Sequence, residues 1–242
     1  MNLKITTPLL ALSLLVLGAC SDTTNFNFEQ NIEDAADAAP PPDIPFPNAV
    51  LFAGSDDTTL NITLDDEVAP NDFSNPQVAL NAIDGFSITQ PLLAGFDVPE
   101  GTMIDPESVI LGETVFVFEV STSEAPEFEV SGILSELVAG QVSVVAGTDS
   151  VVVVPVVPLQ ESTSYMVVIT DGVTILGAPD TSPVNSVYRL VSGALELTGA
   201  LAGLESLRVA TSAMLDATAG QDFAASDAVS YTHLTLPTTP YV

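Results

Sequence analysis

The residues able to do chemistry in this chain are few, and each stands apart from the others. His233 is the single histidine, in the closing stretch SYTHLTLPTTPYV. An imidazole is the side chain best suited to general-base work near neutral pH, so a hydrolytic site would be built around it. A nucleophile to go with it is missing: no G-x-S-x-G elbow occurs, nor H-E-x-x-H, a P-loop or G-x-G-x-x-G. Cys20 is the single cysteine, so no intramolecular disulfide or thiolate metal cluster forms. Acids abound, and their nearness in sequence therefore says nothing about a glycosidase pair. Two clusters, Asp56-Asp57 and Asp65-Asp66-Glu67, are the candidate calcium ligands. Both lack the alternating oxygens and fixed glycine of an EF-hand loop. Asp84-Gly85, Asp105-Pro106 and Asp171-Gly172 read as turns rather than as acids or bases. On this reading the chain has no catalytic residue.

Charge narrows the partners. The chain carries 32 acidic and 3 basic residues for a net charge of −29, and every acid lies after residue 20. Beyond Lys4 the only cations are Arg189 and Arg208. Nucleic-acid binding depends on Lys and Arg displacing phosphate counterions, so nucleic-acid partners are excluded. Such acidity keeps a protein soluble in a salty medium, where self-repulsion is screened.

The elements that would position these residues begin with residues 1–19. Lys4, the apolar run Leu9–Leu17 and the small pair Gly18-Ala19 form a secretory leader, too short for a comfortable permanent span. Leu17-Gly18-Ala19-Cys20 resembles the lipobox of bacterial lipoproteins. The resemblance implies lipidation at Cys20, with several acyl chains anchoring at about 0.8 kcal/mol per buried CH₂. Ser21 follows the cysteine where inner-membrane retention typically uses aspartate, so the implied address is the outer membrane and the cell surface. Residues 20–43 lack apolar periodicity and read as a disordered tether.

Residues 44–192 read as β-rich, with an Ig-like β-sandwich at about 84–192. Val115–Val120, Glu129–Ile133, Gln141–Ala146, Val151–Val157 and Tyr165–Thr170 are the expected strands. Pro155 marks an edge, a bulge or a strand end. Asp171-Gly172 is expected to turn Tyr165–Thr170 back along Val173–Leu176, with glycine supplying positive φ. Residues 193–227 hold a helix from about 200 to 217, weakened early by Gly199 and Gly203. Its stripe of Leu201, Leu204, Leu207 and Met214 would pack on a neighbour inside or outside this chain. The fold class is all-β with a short C-terminal helical segment.

Four stretches together resemble the N-terminal domain of the bacterial virulence-factor lipase family, surface lipoprotein lipases and phospholipases. They are Pro45–Phe52 (P-x-P-N-D-x-L-F), Thr59–Ile62 (G-T-L-N-I), Ala79–Ser87 (A-L-N-x-L-D-G-F-S) and Pro155–Gly172. The last follows P-x-x-P-L-x-x-x-T-x-Y-x-V-x-x-T-D-G, a pattern shared with bacterial Ig-like domains. In the first stretch Ala49 stands where the family favours aspartate, and Ile88, after Ser87 of the third, stands where threonine often follows. The resemblance implies a parent lipase whose serine, histidine and oxyanion hole sit on a C-terminal α/β-hydrolase domain that this chain does not include. No position here matches a catalytic residue of that domain. A non-enzymatic Ig-like surface lipoprotein, binding a protein or a glycan, is the alternative. Residues 228–242 hold no charged residue, four threonines and two of the four tyrosines. SYTHLTLP resembles translated sequencing-adapter text, so 228–242 is expected to be a non-native tail.

Overall fold

A computed structural model describes residues 44–235 except 53–54, 58, 62–63, 65–67, 124–128, 184, 222 and 224–226. The leader, Cys20, the tether and Asp65-Asp66-Glu67 lie outside the described residues. Among these residues seven strands form two antiparallel sheets. The smaller contains β1 (Leu92–Gly95), β5 (Ser150–Pro155) and β4 (Val142–Ala146), in that order. The larger runs β3 (Val130–Glu136), β2 (Val115–Thr122), β6 (Ser164–Thr170) and β7 (Ala228–Thr235).

Period-two alternation decides what each sheet buries. In the small sheet Leu92, Ala94, Val142, Val151 and Val153 point to one face, and Val145, Val152 and Val154 to the other. The first face meets Val115, Val117, Tyr165, Val167 and Ile169 of the large sheet in one core, so the two sheets make a β-sandwich. The alternate residues of the large sheet (Phe116, Phe118, Val120, Met166 and Val168) form a second core on its other side. There Met214 of helix α3 (Glu205–Ala217) closes it, with Phe223 tilted onto Phe116 at 4.6 Å between ring centroids. Each such aromatic or aliphatic side chain contributes about 1.5–3 kcal/mol on full burial. The large sheet is thus covered on both faces. This is why β6 (SYMVVIT) is buried at every position, while β5 (SVVVVP) is buried mainly on its inward face.

The expected strands are present, and Pro155 is the last residue of β5, where its missing amide breaks no ladder. Two details differ. Val173–Leu176 does not return beside β6, whose neighbours are β2 and β7; Ile175 instead makes single bridges to Ile104 and Ala178. Gly172 is needed for space rather than for positive φ, since a Cβ there would sit 2.7 Å from Thr114 Cγ2. The helical stretch opens as a 3-10 turn, Gly199–Leu204, with Gly199 at φ 64°, before α3 begins. Leu207 and Met214 are buried within this chain, so that part of the stripe is covered by its own neighbours. A short helix α1 (Pro76–Leu80) and a second, α2 (Ser186–Val191), complete the described elements used below.

Candidate functional site

Of the described residues in the two acidic clusters, Asp57 has its carboxylate held by neighbours. One carboxylate oxygen accepts from Ser55 Oγ at 3.0 Å, Thr59 N at 3.1 Å and Thr59 Oγ1 at 2.7 Å. These bonds, the Thr59 hydroxyl foremost, hold the carboxyl below the usual carboxylate range. That oxygen closes a local turn, and Asp56 beside it is exposed. Among the described residues no three His, Cys, Asp or Glu side chains converge as a metal site. Asp105 caps the 3-10 turn Pro106–Ser108, accepting from Glu107 N at 3.0 Å, and the Asp171 backbone bonds to Asp227 and Ser182. Both do the turn work their sequence context implies.

Buried polar side chains converge at α2, α3 and β7, beside Pro45. A shallow pocket there is lined by Pro45, Asn185, Tyr188, Leu207, Thr211 and Tyr231, among others. Asn185 builds one wall. Its Oδ1 caps α2 by accepting from Tyr188 N at 2.7 Å, and its Nδ2 donates to the Gly95 carbonyl at 2.8 Å. The cap ties the helix layer to the small sheet. The Tyr188 and Tyr231 rings stack with centroids 5.7 Å apart, and Tyr231 Oη lies 3.3 Å from Thr218 Oγ1. Burial pushes both phenols upward. At neutral pH they stay protonated, so they pack and hydrogen-bond but do not take up protons. Sequence reasoning passed over this junction; the signal available was Asn185 three residues before Tyr188, an N-cap spacing.

Two surfaces flank this junction. On the helix layer Arg208 forms a bidentate pair with Glu205, 2.6 Å at its shortest, the one salt bridge among the described residues. Glu205 also accepts from Leu197 N, fixing the turn before α3. Arg189 stands exposed beside exposed Leu190. On the opposite side, the strands of the small sheet contain no charged residue. Their outer face presents Val145, 52% exposed, and continues into Val156 and Val157, 56% and 49% exposed. Both of those amides donate to the Gln141 carbonyl.

His233 falls in β7, its backbone opposite Met166. Residues 228–235, read from sequence as foreign text, thus stand as a strand along β6. Among the described residues no helix is long and apolar enough to cross a membrane. No curated protein and no solved structure matches the chain. The family described as bacterial virulence factor lipase N-terminal does match, over residues 36–236. That span takes in the sandwich, the helix layer and β7, and by it the chain belongs to the bacterial virulence factor lipase N-terminal family.

Proposed function

We propose that this domain is the non-catalytic N-terminal portion of a surface-anchored bacterial lipase or phospholipase. Lipid on Cys20 holds it at the outer membrane, and the tether of residues 20–43 lifts the sandwich off the bilayer. Carboxylic-ester hydrolysis belongs to a serine hydrolase domain of the parent, with a histidine base and an oxyanion hole. The family match over residues 36–236 carries the reading, since that family is defined on virulence-factor lipases and on their N-terminal part. Membership of this kind fits a secreted or surface protein. In this arrangement the sandwich displays the hydrolase and helps lipid substrate reach it. The absence of a nucleophile elbow in the sequence supports assigning the chemistry elsewhere.

The test is an ester-hydrolysis assay on the purified chain beside the parent enzyme. Turnover should follow the parent alone, and measurable serine-dependent turnover by this chain would falsify the assignment. Labelling cells with a radioactive fatty acid tests the anchor. Label should enter the wild type and be absent from a Cys20→Ser variant; equal labelling of both rules the anchor out.

A partner-binding role is the second reading, favoured by the uncharged valine face of the small sheet. Contiguous exposed apolar surface is uncommon on monomeric proteins and marks contact sites. On that reading Val145→Asp weakens the parent's activity on lipid without changing its activity on a soluble ester.

A further inference from the structure

We propose that the β6 edge is a strand-binding site: it takes an extended, uncharged peptide segment as an added strand, and residues 228–235 are its replaceable occupant in this chain. The pairing is main-chain and runs from Ser164 opposite Thr235 to Thr170 opposite Ala228, broken by one irregularity at Ile169/Thr170. Such an edge selects extended backbone first and side chains second. The occupant has no charged residue in a chain of net charge −29, so it meets no repulsion from the body it joins. Among its described side chains the largest buried one is Tyr231, opposite Val168, packed against Tyr188 and bonded to Thr218.

The seam is imperfect in a localised way. Among the described residues, two buried side-chain polar atoms lack a hydrogen-bond partner, Asn48 Nδ2 and Ser230 Oγ. Ser230 belongs to β7, and Asn48 opens the 3-10 turn Ala49–Phe52 that packs against β7. Buried Asn185 and Thr218, set on the body of the domain, are both satisfied. Unpaired buried groups are costly, and here they collect on one removable strand and its contact. Two other edges, at β1 and β3, are less receptive. Phe46 already pairs with Leu93 on β1, and β3 pairs through two register shifts that discourage an added strand. The favoured ligand is an uncharged peptide strand with an aromatic ring at the Tyr231 position.

Amide hydrogen exchange on the intact chain tests this without a variant. Alternate β6 amides donate to β2 and to β7. Those donating to β7 should exchange at least about tenfold faster, through opening of β7 alone. Equal rates on the two sides overturn the proposal. A labelled synthetic peptide of sequence AVSYTHLT then reports on occupancy. It should bind the Tyr231→Ala chain about tenfold more tightly than the wild type, whose own strand competes. A peptide with proline in place of its first threonine, the position opposite Val167, should not bind. Equal binding of that proline peptide, or no binding of AVSYTHLT to a folded Tyr231→Ala chain, overturns the proposal; an unfolded variant leaves the decision to the exchange rates.

Discussion

The two sheets are written in nearly the same alphabet and live in different surroundings. SVVVVP of β5 and SYMVVIT of β6 are both runs of β-branched and apolar residues. Yet β6 is buried throughout, and β5 leaves Val152 and Val154 partly open. The cause is α3, which lies over the outer face of the large sheet, while among the described residues no helix covers the small one. A hydrophobic run therefore reports that a strand is able to be buried on two sides, while a separate element decides whether it is. The small sheet's outer face then stands as a surface whose composition exceeds what its solvent contact requires.

Charge placed in each sheet gives the widest separation. Val168→Asp puts an unpaired carboxylate between β6 and α3, at a residue with 0% exposure. It should cost more than about 4 kcal/mol and leave little folded protein by urea titration. Val145→Asp on the open face should stay within about 0.5 kcal/mol of wild type in the same titration. A comparable loss from both would erase the distinction between the sheets.

Removing the cover comes next. Met214→Ala, at 2% exposure, should lower stability by about 2–5 kcal/mol and shift the urea midpoint without changing the slope. Hydrogen-exchange protection of β5 amides that open only with the whole domain should fall by the same amount, although β5 packs in the other core.

The helix side also has a pH signature that the valine face lacks. Burial raises the Tyr188 and Tyr231 phenols above their ordinary value of 10.0. Below that value both folded and unfolded forms are protonated, so their contribution is intact. As pH rises past 10.0 the unfolded chain ionises first and stability falls until the folded phenols follow. Melting temperature should drop above about pH 10, and Tyr188→Phe should flatten the drop. An unchanged alkaline limb in that variant would detach the tyrosines from the effect.

The smallest effect is at the seam. Ser230→Ala removes a buried hydroxyl with no partner and should leave stability level or raise it by up to about 1 kcal/mol, read as a melting temperature. A clear loss would mean the hydroxyl is bonded in solution.

Much of the sandwich was legible because β-branched runs with turns between them carry their own signal. Val115–Val120 and Tyr165–Thr170 needed no tertiary information. β1 was not legible: LLAG is four residues without alternation, and its place is set by pairing with Val151–Val153. Nor was α2, where Val187, Tyr188 and Val191 argue for a strand and the Asn185 cap decides for a helix. Asp171-Gly172 was legible as a turn, but not where the chain goes afterwards, since the crowding against Thr114 is long-range. At the site, Asp57 looked like a cation ligand, yet Ser55 and Thr59 two residues either side supply its partners locally. The tyrosine junction escaped because its members come from 188, 218 and 231, drawn together only by the fold.

One further result lies in the double burial of β6. Its odd and even side chains belong to different hydrophobic clusters, so it is a party wall between two rooms. Neither room can be emptied while the wall stands in native register. The sandwich and its helical annex should therefore absorb heat in one calorimetric peak, with matching calorimetric and van't Hoff enthalpies.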